Sequence, residues 1–196
     1  MQGDAPIFYY DTNSPYAYLA AERVQEVLPE AVWRPIAFGI LLRETERVPW
    51  SLKPGREEQM ADCERRAAER GLPPITWPKG WPADTWALGP LRAQVMAEEK
   101  GLLVPFALAC YRKMFVEGRS LAELNTVFDA ARVAGVDPPE VRDRIAEPAL
   151  KARLKAYTDE AIARGVVGVP TVAVGDELFW GDDRLEDAAA ALAAAG

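Results

Sequence analysis

Ser14-Pro15-Tyr16-Ala17 and, far along the chain, Val169-Pro170-Thr171 are the residues whose types and spacing point to chemistry. Serine is a good helix N-cap and proline a good first helical residue. The Ser14 hydroxyl is therefore expected at a helix N-terminus, where free backbone N–H groups and the helix dipole favour an anion. Serine is a poor nucleophile without a base, and this chain of 196 residues contains no histidine. A Ser-His-Asp triad is thereby excluded, as are the usual zinc ligand sets. What remains to Ser14 is donation of a hydrogen bond to a negative atom carried in by a ligand. Pro170 has no N–H, and the residue before a proline is held extended. Val169 can thus offer its own backbone to a peptide-like ligand. Cys63 and Cys110 lie far apart, form no C-x-x-C, and are expected as reduced thiols on helices.

The surrounding pattern shows what must position these groups. Residues 7–10 are a short apolar and aromatic run, read as a buried strand, and residues 11–15 turn the chain into a helix over 16–28, stopped by Pro29. A second strand is expected over 31–38, with Pro35 marking an edge or a bulge. From residue 39 to about 146 the spacing is helical, with helices over 57–70, 85–100 (bent at Gly89-Pro90), 105–117 and 121–134, and a short one from Glu140. A loop rich in Pro and Trp spans 72–82, and Trp77, Trp81 and Trp86 are read as packing between helices rather than lining an aromatic pocket. A helix over 149–164 leads to a strand–turn–strand and an alanine-rich helix over 182–195. Asp182 and Asp183 open that helix, Asp183 forming a capping-box-like pair with Glu186.

A β-α-β unit, a long helical stretch and a terminal helix–hairpin–helix describe an α/β chain with a thioredoxin-like fold. The expected division is a discontinuous domain, 1–38 with 149–196, carrying a helical domain, 39–148. In that fold Pro170 becomes the cis-proline beside the active site, and Ser14-Pro15-Tyr16-Ala17 occupies the place of C-x-x-C. Disulfide exchange needs a sulfur nucleophile, so this chain cannot run it there. A serine facing that proline loop is suited to stabilise a thiolate on a bound ligand such as glutathione, whose cysteinyl unit could pair with Val169. Composition closes other routes. The net charge is −7 with no basic cluster, which speaks against nucleic acid. No apolar stretch has the length of a membrane span, and Met1-Gln2-Gly3-Asp4 is read as the start of a mature cytoplasmic protein.

Phe8-Tyr9-Tyr10-Asp11 with Ser14 to Ala20, Asp62 and Arg65 before Gly71-Leu72-Pro73, Trp81-Pro82 with Thr85 and Arg92, Ala134 to Asp137, and Gly165 to Leu185 together resemble the 2-hydroxychromene-2-carboxylate isomerase family. That family is close to the kappa-class glutathione transferases and more distantly related to the DsbA oxidoreductases. The resemblance implies a glutathione-dependent isomerase, or one using another low-molecular-weight thiol, acting on a small aromatic carboxylate as a homodimer. A kappa-like transferase, or a thiol-binding module without catalysis, are the alternatives. By the same resemblance Ser14 activates the sulfur, while Val169 and Pro170 hold the cysteinyl backbone. Asp182 and Asp183 receive the γ-glutamyl end, the first standing where the family often has an uncharged residue. Lys53 or Arg56 supplies the charge of the family's Lys-x-x-Tyr, and Asp84 stands where asparagine is frequent.

Overall fold

The computed structural model describes residues 5–195; Met1–Asp4, on which the reading of the N-terminus rests, and Gly196 lie outside the described residues. β1 (Ile7–Tyr10), α1 (Pro15–Val27) and β2 (Val32–Pro35) form the leading β-α-β unit. Six helices follow: α2 (Phe38–Glu44), α3 (Arg56–Glu69), α4 (Leu88–Glu98), α5 (Leu103–Phe115), α6 (Leu124–Ala134) and α7 (Pro138–Arg144). The chain then returns through α8 (Pro148–Ala163), β3 (Thr171–Val174), β4 (Glu177–Trp180) and α9 (Leu185–Ala195). The four strands lie in the order β2-β1-β3-β4. β1 runs parallel to β2, with Tyr10 opposite Pro35, and antiparallel to β3, with Tyr9 opposite Thr171. This is the thioredoxin-like α/β arrangement that the element order implies. Pro35 is tolerated because β2 is an edge strand.

Strand alternation distributes the core between two faces. Phe8, Tyr10, Val172 and Val174 point to one side and pack with Leu19 of α1, Leu91 of α4, Phe106 of α5 and Leu185 of α9. Tyr9 and Ala173 point to the other, against Leu41 of α2 and Ala161 of α8. Cys63 on α3 and Cys110 on α5 are free and buried, and burial pushes each thiol up to about 12. Among the described residues no helix is long and apolar enough to cross a membrane.

Three local expectations are corrected. The second strand ends at Pro35, and Phe38 opens α2 instead of extending it. The reason is a change of acceptor: the Ile36 N–H still reaches Tyr10 O, but the Ala37 N–H turns to Thr158 Oγ1 (3.0 Å) and the Phe38 N–H to Asp11 Oδ2 (3.0 Å). Gly89-Pro90 does not bend a helix, because α4 starts at Leu88 and the proline sits in its first turn, where no N–H is needed. Asp182–Arg184 form a separate 3₁₀ turn ahead of α9.

Candidate active site

Ser14 caps α1 as expected: its Oγ accepts the Ala17 N–H at 3.2 Å, and Pro15 fills the first helical position. The Val169–Pro170 peptide is cis. Across from Ser14, the Val169 carbonyl lies 3.5 Å from Oγ. That is long for an O–H···O bond, so the hydroxyl proton is free to turn to a better acceptor. Among the described residues the Val169 N–H meets no acceptor, and its C=O meets only Ser14. The N–H of Tyr16 has no helical partner by virtue of its position. A hydroxyl, a helix-terminal N–H and an unpaired extended backbone unit therefore converge on one place.

That place opens into a cavity of about 800 Å³, walled by α1, α2, the connector after it, Trp81–Trp86 and the proline loop. Its size falls within the roughly 300–1,000 Å³ of small-molecule sites. Phe38, Trp50, Trp81 and Trp86 form an aromatic side. The tryptophans divide: Trp81 and Trp86 line the cavity, whereas Trp77 packs behind them on Trp81 (4.7 Å between ring centres) and Phe115 (6.0 Å). Gly39 and Gly168 permit close approach, since a Cβ on Gly39 would stand 2.6 Å from the Trp86 ring and one on Gly168 2.5 Å from Trp180 Nε1.

At the α9 end the two acids separate. Asp182 is 1% exposed and already ion-paired, 3.0 Å from Arg66 and 2.6 Å from Arg70. Asp183 is exposed and lies 3.5 Å from Arg66. Arg66 lines the cavity and also reaches Asp62 at 2.7 Å. Burial pushes the Asp62 carboxyl up, but bonds from Arg65, Tyr16 and Arg66 prevail and hold it below the usual carboxylate range. An exposed acid, Asp183, and a cation, Arg66, therefore stand side by side at this end of the cavity, a pairing the sequence did not disclose.

The remaining sequence candidates do not gather around the cavity equally. Lys53 lines it as an exposed cation. Arg56 does not; its guanidinium ties the connector down by reaching Ser51 O (3.4 Å) and Trp81 O (3.3 Å). Asp84 is exposed and lies over Gly80, outside the lining. Its neighbour Thr85 is buried and donates to Asn13 Oδ1 (2.8 Å), while Asn13 Nδ2 donates to Pro82 O (3.1 Å) and the Trp81 indole to Asn13 O (3.1 Å). The Trp81–Thr85 segment, whose Trp81–Pro82 peptide is also cis, therefore holds the residue next to Ser14.

Asp11, given no site role by the sequence, and Arg47, which the sequence did not single out, also line the cavity. Asp11 is buried on the floor, accepting the N–H of Asn13 (2.9 Å) and of Phe38 (3.0 Å). Burial pushes its carboxyl up to about 6, against those bonds and the Trp86 side chain, which pull it down. The D-x-N spacing of an Asx turn was a usable signal for the first contact; nothing local announced the second. Arg47 bridges the mouth, donating to Val167 O at 3.1 Å with its guanidinium 5.2 Å from the Trp180 ring.

A thioredoxin-like core whose first helix opens on Ser-Pro opposite a cis-proline defines the class, and the chain belongs to the DSBA-like thioredoxin domain family, whose model matches residues 7–193. It is 27% identical over 190 residues to the 2-hydroxychromene-2-carboxylate isomerase of Sphingobium xenophagum, covering 91% of this chain and 93% of that protein. It is 25% identical over 196 residues to glutathione S-transferase kappa 1 of Homo sapiens, covering 91% and 86%. The fold matches a solved 2-hydroxychromene-2-carboxylate isomerase with a TM-score of 0.85 at 22% identity, over 97% of this chain and 95% of that one.

Proposed function

We propose that this chain is a thiol-dependent isomerase that uses glutathione, or another low-molecular-weight thiol, on a small aromatic carboxylate such as 2-hydroxychromene-2-carboxylate. The observation that carries the reading is the Ser14 hydroxyl at the α1 N-terminus, 3.5 Å from the Val169 carbonyl and open to the cavity. The donor set fits a thiol tripeptide: a hydroxyl and a helix terminus for sulfur, a free N–H and C=O at Val169 for the cysteinyl unit, and Asp183 with Arg66 for a zwitterionic end. When bound, glutathione supplies a thiolate that adds reversibly to a conjugated carbon of the substrate and leaves once the bond has turned.

The chain's own residues do the rest. Ser14 donates to the sulfur and, with the Tyr16 N–H, lowers the cost of its negative charge. Val169 fixes the peptide unit, and Trp50, Trp81 and Trp86 exclude water and hold a planar ring in line. Arg47 and Lys53 stand at the cavity edge as partners for a substrate carboxylate. A homodimer in a reducing cytoplasm belongs to the same reading, and the two buried free thiols are consistent with that compartment.

Ser14→Ala tests this reading. The thiol of bound glutathione, followed by its ultraviolet thiolate absorbance, is expected to titrate about one unit higher, roughly 1.4 kcal/mol. The variant's kcat/KM is expected to fall roughly 10²-fold. An unchanged titration removes Ser14 from the mechanism. The kappa relative favours a second outcome at the same site, net conjugation. Thiol recovered with rearranged product supports isomerisation, thiol consumed in stoichiometric adduct supports transfer, and absence of glutathione binding by calorimetry leaves a module without catalysis.

A further inference from the structure

The short helix α2 has two working faces, and only one belongs to the Ser14 cavity. Phe38, Gly39 and Leu42 line that cavity. Ile40, Arg43 and Glu44 face a second cavity of about 470 Å³, closed by α4 and α8. Its larger apolar lining residues are Ile40, Leu88, Leu154 and Ile162, and its polar lining is four cations, Arg43, Arg92, Lys151 and Lys155, against two acids, Glu44 and Asp159. This excess of positive charge stands on a chain of net charge −7.

The four cations are not equivalent. Arg43 pairs with Glu44, and Lys155 with Asp159. Arg92 and Lys151 have no carboxylate partner among the described residues, although most other arginines do. Arg92 is half-buried in the lining; its Nε is shielded from solvent, as are Arg34 Nε and Arg70 Nη1, and it is the terminal nitrogens of the Arg92 guanidinium that a ligand in the groove can reach. A guanidinium and an ammonium without carboxylate partners at the wall of an apolar cavity leave positive charge uncompensated there. A planar carboxylate matches the guanidinium fork, and an apolar body is needed to cover the floor.

We propose that this groove binds a small organic carboxylate with an apolar body, its charge held by Arg92 and Lys151 and its body laid on Ile40, Leu88, Leu154 and Ile162. The site is separated from the Ser14 cavity by α2, so its ligand occupies neither the thiol position nor the position of the aromatic substrate. The inference stands on its own geometry and survives failure of the isomerase reading.

The test is a titration of the isotopically labelled full chain with hexanoate, followed by backbone amide shifts, with hexanamide as the uncharged control. Saturable shifts are expected for α2, for the first turns of α4 and along α8, with hexanamide binding at least roughly tenfold more weakly. Arg92→Gln and Lys151→Gln, made separately, should each weaken hexanoate by roughly 5–10-fold. Lys151 is exposed on α8, so its variant keeps the test decisive even if the α4 variant folds poorly. Equal binding of acid and amide would overturn the proposal, as would wild-type affinity in the Lys151 variant or shifts confined to the Ser14 and Val169 amides. Shifts at the same amides that depend on protein concentration without hexanoate would assign the groove to a second copy of the chain and also overturn it.

Discussion

A hydroxyl and a buried carboxyl share the floor of the Ser14 cavity, and they act on charge in opposite directions. Ser14 favours an arriving anion; an ionised Asp11 opposes one. Asp11 has an ordinary value of 3.8, which the unfolded chain retains, and burial lifts it to about 6 in the fold. The native state therefore holds this proton more tightly than the unfolded state does. The resulting stability is fully present below the unfolded value and is lost as pH rises through about 6, by at most about 3 kcal/mol for the two-unit difference. Asp11→Asn should abolish that dependence. At about pH 4.5 it should also lower stability by about 1 kcal/mol, because an amide offers one acceptor oxygen where the Asn13 and Phe38 N–H groups need two. Urea unfolding at about pH 4.5 and about pH 7.5 checks this: the wild type should lose about 2 kcal/mol between the two while the variant loses none, so the order of stability should reverse at the higher pH. A gap that does not change with pH would mean that Asp11 does not titrate in this range.

The 3₁₀ turn ahead of α9 shows how an element divides labour between neighbours that look alike in sequence. Asp182 and Asp183 are adjacent acids, yet one is buried between Arg66 and Arg70 and the other is exposed at the cavity edge. Removing the first leaves two arginines around an empty anion position, whereas removing the second uncovers nothing. Asp182→Ala should therefore cost about 3 kcal/mol of stability. Asp183→Ala should cost under about 0.5 kcal/mol while weakening glutathione binding roughly tenfold. Denaturation and calorimetry on the pair separate the roles; equal stability losses would show that both acids are structural. Local pattern could place two acids at a helix start but could not reveal arginines on α3. The same limit explains α2: Ile36 to Phe38 read as strand-forming residues, and the acceptors that end the strand, Thr158 and Asp11, come from distant parts of the chain. Where the determinant was local, as at the Ser14 cap with Pro15, the sequence was sufficient.

At the scale of the whole molecule, element order was enough to place parallel β1–β2, the terminal hairpin and the proline loop, because alternation and turn chemistry act over a few residues. The cavity walls were less legible, since Arg47, Trp86 and Trp180 meet only through the tertiary fold. Packing also bears on the division into a sheet unit and a helical stretch, 39–148. One face of the sheet has no core of its own: Phe8, Tyr10 and Val172 share a single cluster with Leu91, Phe106 and Tyr111 from that stretch. Tyr111 further donates to Asp11 O at 3.1 Å, and Tyr10 to Gln94 at 2.8 Å, tying α5 to the turn before Ser14 and α4 to β1. Units that share their buried surface should unfold together. Leu91 is fully buried on α4 within the helical stretch, so Leu91→Ala should cost about 2–5 kcal/mol. That loss should shift far-ultraviolet circular dichroism and tryptophan fluorescence to one common denaturation midpoint. Amide exchange at Tyr9 and Val172, far from Leu91 in sequence, should accelerate by the same free energy, because their opening then requires the global transition. If those strand amides stay protected while α4 and α5 exchange freely, the helical stretch is a separate folding unit and the shared core is only a contact between two.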